Sequence, residues 1–327
     1  MPDSGVVAID IGGSGSRARW KPMDGTDPVT AFGPAVQITR DGASLASNVA
    51  LIVDDLVRAM TDFDPAAVRA VCVGATGIVG LAGDRDEVYR AVHTVFPAAA
   101  VLLAADGLCA TMGALGGQPG AVVAVGTGTS ALGTDSQQIW HTVDGWGHVF
   151  GDAGSGAWIG RTAMTLAAEQ FDGRRQDAAP LLDALVARLG EVPTWPSLIY
   201  TNNQRAGVLA SLAPTVVGLA VHGDQSAAQI CRDAGAGLAR TLAAALVEGV
   251  PPRASWAGAL LSECHVIRET FLAEFARLRP WVGIAEPAGT VLDGAGILAQ
   301  AMVGGDIPAV AHTRLATWYP AKRPVTP

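Results

Sequence analysis

Apolar and polar positions along this chain switch repeatedly between two periods. Residues 6–12, VVAIDIG, form an apolar run that ends in Gly12-Gly13-Ser14-Gly15-Ser16, and the alternating segment RARW (17–20) follows. An apolar run, a Gly/Ser turn and an alternating run predict a β-hairpin. Between about 40 and 60, Leu45, Val49, Ile52, Val53, Leu56 and Val57 recur at spacings of three and four, the stripe of an amphipathic helix. AVCVGATG (70–77) and AVLLAAD (100–106) predict two buried strands, and GLCATMGALG (107–116) a helix that starts where the second ends. AVVAVGTGTSALGT (121–134) then repeats the strand–turn–strand design about 116 residues after the first, as a duplicated supersecondary unit would. From 150 onward helical spacing dominates, over 155–171, 180–189, 204–221 and 224–247. ASWAGALL (254–261) predicts a strand into a turn, CHVIRETFLAEFARL (264–278) an amphipathic helix and DGAGILAQAM (293–302) a helix after a glycine start. The tail AKRPVTP is expected to fray. Strands alternating with helices place the chain in the α/β class.

Length and composition narrow this picture. The chain has 327 residues, which at roughly 150 per domain predicts two domains. The run Gly113, Gly116, Gly117, Pro119, Gly120 marks the boundary, giving domains 1–115 and 116–327, with the last helix (293–312) expected to pack back on the first. Apolar residues make up 50% and charged residues 16%, which excludes a disordered chain. The 22 basic and 30 acidic residues leave a net charge of −8, and a nucleic-acid partner would need a basic footprint instead. No run reaches about 18 apolar residues, so no membrane span is expected. The N-terminus lacks a basic segment followed by a long apolar one, so a cytoplasmic location is expected. Cys72, Cys109, Cys231 and Cys264 lie far apart without a C-x-x-C pair, which excludes a zinc knuckle and predicts buried, reduced thiols. G-x-x-x-x-G-K-[ST] does not occur, so there is no P-loop.

The first turn contains a loose G-x-G-x-x-A match at Gly13, Gly15 and Ala18. A dinucleotide site needs a helix after such a loop, and here a strand follows. Each turn could be a plain hairpin turn needing positive φ. Two of them, one per half, fit a different role: successive backbone N–H groups form a nest for anions. Ser14, Ser16, Thr127, Thr129 and Ser130 add hydroxyls, and two such nests can grip the phosphates of ATP. Phosphoryl transfer also needs a metal ion and a base. Asp10, at the mouth of the first hairpin, is placed to hold Mg²⁺, and Asp106 ends a buried strand where a carboxylate can face a cleft. GWGHVFGDAGSGAWIG (145–160) combines Gly145, Trp146, His148, Asp152 and Trp158, the aromatic and acidic groups that a polyhydroxylated ligand needs. Taken singly, Asp106 could instead be a helix N-cap, Asp152 could cap the helix near Ser155, Trp146 and Trp158 could be core residues, and His148 could be a structural histidine.

The ordered set resembles the sugar-kinase/actin-like ATPase superfamily. Within it the chain is similar to the N-acetylglucosamine kinase and BadF/BadG-type ATPase family, most like the glucosamine kinases of actinobacteria. VVAIDIGGSGSRARW (6–20) and AVVAVGTGTSALGT (121–134) resemble its two phosphate motifs, and LLAADGLCATMGAL (102–115) and DGAGILAQA (293–301) its connecting motifs. WAGALL (256–261) resembles its adenosine motif, and GWGHVFGDAGSGAWIGRTAM (145–164) the segment that most distinguishes amino-sugar kinases. The resemblance covers essentially the whole chain. It implies two actin-like, ribonuclease H-like domains with a duplicated core, closing over ATP and sugar in the cleft between them, and the cofactors ATP and Mg²⁺. It implies that Asp10 is linked to Mg²⁺ and that Gly12, Gly13, Ser14, Gly15, Ser16, Thr127, Gly128, Thr129 and Ser130 hold phosphates. Asp106 becomes the general base for the C6 hydroxyl of glucosamine, with N-acetylglucosamine as the alternative acceptor. Thr76, Gly145, Trp146, His148 and Asp152 contact the sugar, and Gly258 and Ala259 the adenosine. The family often reads D-G-G-G-T-K-T, where this chain has Ile11 for a glycine, Ser14 for the threonine and Gly15 for the lysine; Arg17 stands nearby as a replacement cation. Ala257 also departs from a common glycine. The expected partners are the small-molecule amino sugar and ATP, and of assemblies a homodimer is the one expected. Two other readings belong to related groups. A dehydratase-activating ATPase would use cysteines for a shared Fe–S cluster. A sugar-responsive repressor would need a DNA-binding module before the first strand.

Overall fold

The computed structural model describes residues 4–13, 15–35, 38–39, 42–43, 45–75, 85–303 and 309–321. The chain opens with β1 (Gly5–Gly12), β2 (Gly15–Pro22), β3 (Val29–Gly33), β4 (Ile38–Thr39) and β5 (Gly42–Ala43). Next come α1 (Leu45–Arg58), β6 (Val68–Ala75), α2 (Arg85–Val95), β7 (Ala100–Ala105) and α3 (Asp106–Ala114). The pattern restarts with β8 (Gly120–Val125), β9 (Thr129–Thr134) and β10 (Trp140–Asp144). Helices α4 (Gly156–Phe171), α5 (Ala179–Leu189), α6 (Trp195–Tyr200), α7 (Arg205–Ala210), α8 (Ala213–Val221) and α9 (Gln225–Ala245) follow. The chain closes with β11 (Arg253–Ala257), α10 (Ala259–Glu263), α11 (His265–Leu278), β12 (Gly283–Ile284), α12 (Val291–Met302) and β13 (Ala316–Tyr319). Among the described residues no single helix is long and apolar enough to cross a membrane.

Contacts divide the chain into two units. Unit 1 holds residues 1–119, 134–140 and 286–327, and unit 2 holds 120–133 and 141–285. The division expected at 115/116 put 116–327 in the second domain, with the last helix (293–312) packing back on the first. Residues 286–327 join unit 1 because α12 packs on α3, β1 and β6, and β13 pairs with β7.

Unit 1 is built on a sheet in the order β13-β7-β6-β1-β2-β3. Strands β1, β6 and β7 run parallel, and β2, β3 and β13 are antiparallel additions. Side chains alternate along a strand, so Val7, Ile9 and Ile11 of β1 face one side and bury with Ile52, Leu56 and Phe96. Asp10 therefore faces the other side, which α3 and α12 cover. These two helices cross closely because of glycines: a Cβ at Gly113 would strike the carbonyl of Thr290, and one at Gly294 the carbonyl of Cys109. A capping box at Thr290 and Asp293 starts α12, and Arg19 Nη1 donates to Asp293 Oδ1 at 2.6 Å, tying the helix to β2.

Unit 2 carries the second sheet, β10-β9-β8-β11-β12, with β11 parallel to both β8 and β12. Its core joins Val123 and Ala131 to the apolar stripes of α4, α5, α8, α9 and α11, including Ile159, Leu185, Val216, Leu238 and Phe271. The single helix expected over 204–221 is two, α7 and α8. Pro214 falls in the first turn of α8, where it lacks the N–H needed to continue an incoming helix. The helices expected over 155–171, 180–189 and 224–247 and the repeated strand–turn–strand units are present. Of the tail expected to fray, residues 322–327 lie outside the described residues.

Candidate active site

Unit 1 gathers three of the expected groups at one end of its parallel strands. Asp10 lies two residues before the end of β1 and pairs with Gly74 of β6, which pairs with Ala104 of β7. Asp106 follows β7 directly as the first residue of α3. Both carboxylates thus sit at the carboxyl ends of parallel strands that flank β6 on either side, where open α/β sheets bind their ligands. Asp106 does not cap its helix: the N-cap position is Ala105, with no side-chain cap bond, and Asp106 Oδ1 accepts the N–H of Gly107 at 2.8 Å. Gly74 lets α3 approach, because a Cβ there would lie 2.7 Å from Cys109 Sγ.

Burial pushes the Asp10 carboxyl up to about 6; the Arg17 guanidinium opposes that rise and the charge of Asp106 adds to it. Arg17 Nη1 stands 3.6 Å from Asp10 Oδ2, with half of its side chain in solvent. A carboxylate whose paired cation is half in solvent is one that a metal–phosphate group can claim. Mg²⁺ keeps several waters and is held through one or two carboxylates plus phosphate oxygens, so Asp10 with its neighbour Asp106 fits it without a dedicated ligand cage. Gly12 is half-buried and Gly13 exposed, and Gly15 has φ +156°. Ser14 and Thr76 lie outside the described residues.

Unit 2 places the second turn, Gly126 to Gly128, on the N-terminus of α4. Gly156 N–H donates to the carbonyl of Gly126 at 2.9 Å and Ala157 N–H to that of Thr127 at 3.1 Å, while Ser155 Oγ caps the helix by accepting from Trp158 N–H. Thr127 is exposed, and Gly128 and Ser130 are half-buried. Gly258, with φ +111°, closes on the same turn: a Cβ there would strike the carbonyl of Val125. Gly258 and Ala259 are both exposed at the start of α10.

Two of the expected hydroxyls are buried. Ser16 and Thr129 are 2% and 3% exposed, and their side-chain oxygens have no hydrogen-bond partner among the described residues. Each falls on the core face of its strand, so strand alternation turns both hydroxyls away from a ligand at the turn.

The segment after β10 folds back on the second turn. Asp152 is buried, and its carboxylate accepts N–H groups from Thr129 and from Gly147, the latter at 3.3 Å. A Cβ at Gly128 would lie 2.8 Å from Asp152 Oδ2, and one at Gly145 3.3 Å from Ser130 Cβ. Burial raises the Asp152 carboxyl, and these N–H groups partly offset the rise. Asp152 itself has φ +56°, a conformation that costs a non-glycine residue about 1 kcal/mol or more. Asp144 holds it there, accepting the N–H of Asp152 at 2.8 Å and of Ala153 at 2.9 Å. Arg161 of α4 braces the other side, donating to the carbonyls of His148, at 2.7 Å, and of Val149. His148 is half-buried and Trp146 is exposed rather than core. Asp152 is not the helix cap; Ser155 is. Sequence reasoning missed Asp144 and Arg161, because each acts on backbone groups, which leave no mark in the sequence beyond the residue itself.

The four cysteines are buried. Hydrogen bonding to Cys72 and burial hold the Cys109 thiol well above its ordinary range, and burial pushes Cys231 up to about 12. A cluster shared between two subunits needs cysteines at the surface of each, and all four here are buried, so these residues do not fit one.

Residues 7–253 match the profile of the BadF/BadG/BcrA/BcrD ATPase family. An N-acetylmuramic acid/N-acetylglucosamine kinase of Clostridium acetobutylicum is 24% identical over 234 residues, 70% of this chain and 75% of that protein. A Chromobacterium violaceum structure assigned as an N-acetylglucosamine kinase superimposes with a TM-score of 0.70 at 27% identity, covering 92% of this chain and all of that one. A ROK family glucokinase from Streptomyces griseus, in complex with glucose and AMPPNP, shares the fold at a TM-score of 0.57 and 18% identity, covering 91% and 99%. The α/β fold with its two sheets is that of the two-domain, actin-like sugar kinases.

Proposed function

Because the chain belongs to the BadF/BadG/BcrA/BcrD ATPase family, we propose that it is an ATP-dependent kinase that phosphorylates an amino sugar on its C6 hydroxyl. The observation that carries this reading is the pair Asp10 and Asp106 at the carboxyl ends of the two strands flanking β6, with Arg17 at Asp10. In the proposed reaction Asp106 accepts the proton of the sugar hydroxyl as its oxygen bonds to the γ-phosphorus and the bond to the ADP oxygen breaks. Catalysis of this step rests on positioning and on offsetting charge. Mg²⁺, when bound, supplies charge neutralisation at the phosphates, and Asp10 would hold it directly or through water. The turn Gly12-Gly13-Ser14-Gly15 and the turn Thr127-Gly128, with Ser130, would take phosphate oxygens through backbone N–H and hydroxyl groups. Arg17 would leave Asp10 for a phosphate as the metal enters. Gly145, Trp146, His148, Asp152 and Thr76 would contact the sugar, and Gly258 and Ala259 the adenosine.

Of the two acceptors, N-acetylglucosamine is better supported than the glucosamine that the sequence resemblance put first, because the relatives carry that activity in their names. The test is ADP release with ATP and Mg²⁺ across glucosamine, N-acetylglucosamine, glucose and no sugar, with Asp106→Asn beside the parent. Sugar-dependent release that falls by roughly 10²-fold or more in the variant, the scale of a general base, is the expected result. Release that ignores every sugar would overturn it and favour an ATPase that activates a partner protein.

A further inference from the structure

The tip of the segment after β10 leaves three large apolar side chains in solvent: Trp146 is 70% exposed, Val149 67% and Phe150 78%. Val149 and Phe150 share one helical turn, closed by Gly151 N–H donating to the Gly147 carbonyl at 2.9 Å, and Trp146 directly precedes it. This turn is braced on three sides. Asp144 holds its exit through the N–H groups of residues 152 and 153, Arg161 holds the carbonyls of His148 and Val149, and Gly151 packs so closely that a Cβ there would lie 2.6 Å from Trp146 Cβ. Trp146 also stands between Gly145 and Gly147, at φ +78° and +88°. Exposed apolar surface on a fixed support is a standing cost of hydration that a ligand relieves on covering it.

The same segment, 145–152, carries Gly145, His148 and Asp152, which the kinase reading gives to the sugar, so the occupant that fits is part of the acceptor sugar. Its chemistry is readable. Residues 145–151, GWGHVFG, include no acid. The flanking carboxylates of Asp144 and Asp152 each already accept two backbone N–H groups. With Asp152 buried and Asp144 half-buried, the three exposed side chains of this tip offer the protonated amine of free glucosamine no charge, whereas a neutral amide bearing an alkyl chain matches them. We propose that Trp146, Val149 and Phe150 form an apolar subsite for the N-acyl substituent of the acceptor, and that acyl chains longer than acetyl are accepted there. This rests on the kinase reading above and adds the substrate class to it.

The experiment measures kcat/KM for glucose, glucosamine and N-acetyl-, N-propionyl- and N-butanoylglucosamine at saturating ATP and Mg²⁺. Burying each added methylene should raise kcat/KM by about two- to four-fold, and V149S and F150S should flatten that slope. Both positions are exposed, so neither variant is expected to disturb folding. Turnover of the short sugars with a flat or falling acyl series overturns the inference alone, and so does a slope that both variants keep. A flat series in a protein whose dimer F150S dissociates would give the tip to a second copy of the chain and overturn it too. Turnover of none of the five sugars overturns the kinase reading and this inference with it.

Discussion

Asp10 is a carboxyl whose position in the fold works against its own ionisation. Its pKa is 3.8 in an exposed setting and about 6 in the folded chain, chiefly through burial. Between those values the folded state binds more protons than the unfolded one, so the stability contributed by this group is present at acid pH and lost as pH rises toward 6. Above that window the ionised carboxylate costs roughly 1–3 kcal/mol. Asp10→Asn removes the charge without changing the shape. It should melt higher than the parent at pH 7.5, with the gap closing on acidification to pH 4, while Mg²⁺-dependent turnover collapses. Melting curves of the two proteins that shift in parallel at every pH would refute this. Asp10 and Asp106 were legible from sequence because a lone acid at the end of an apolar run is conspicuous. Asp144 and Arg161 were not, because their partners are main-chain groups supplied by residues 148–153. The inward turn of Ser16 and Thr129 was missed for a simpler reason: composition at a turn says nothing about which strand face a hydroxyl lands on.

At the scale of elements, both glycine hairpins and most long helices could be read from period alone, since each buries one clear stripe. The elements missed are those with weak stripes. Helix α2 buries only Val88 and Val92, and β13 is four residues long. The crossing of α3 with α12 was likewise invisible, because its requirement is the absence of a side chain at Gly113 and Gly294. That crossing orients the helix that begins with Asp106. Gly294→Ala drives a methyl into the carbonyl of Cys109 and should destabilise the chain by about 1–3 kcal/mol, as overpacking does. Loss of turnover should exceed the loss of folded protein, since α3 must shift. Denaturant melts read beside activity per folded molecule check both, and a variant as stable as the parent would contradict the close packing.

The molecule as a whole is threaded so that unit 1 takes its last helix and an edge strand from the C-terminal forty or so residues. A chain cut after Ala285 keeps all of unit 2 and loses α12 and β13. Its N-terminal segment should then be digested by protease much faster than in the parent, while residues 141–285 persist as a resistant core. Equal resistance of both halves would show that unit 1 is complete without its return segment.

That return path also sets a clock for the newborn protein. On the ribosome, at about 5–20 residues per second, roughly ten to thirty seconds separate the emergence of Pro119 from that of Glu286. Throughout that interval the face of β1 bearing Asp10, and the glycine surface of α3, wait without the helix that covers them. Unit 2 can condense in the meantime. The end of the first sheet that carries Asp10 and Asp106 is therefore the last part of the protein to mature.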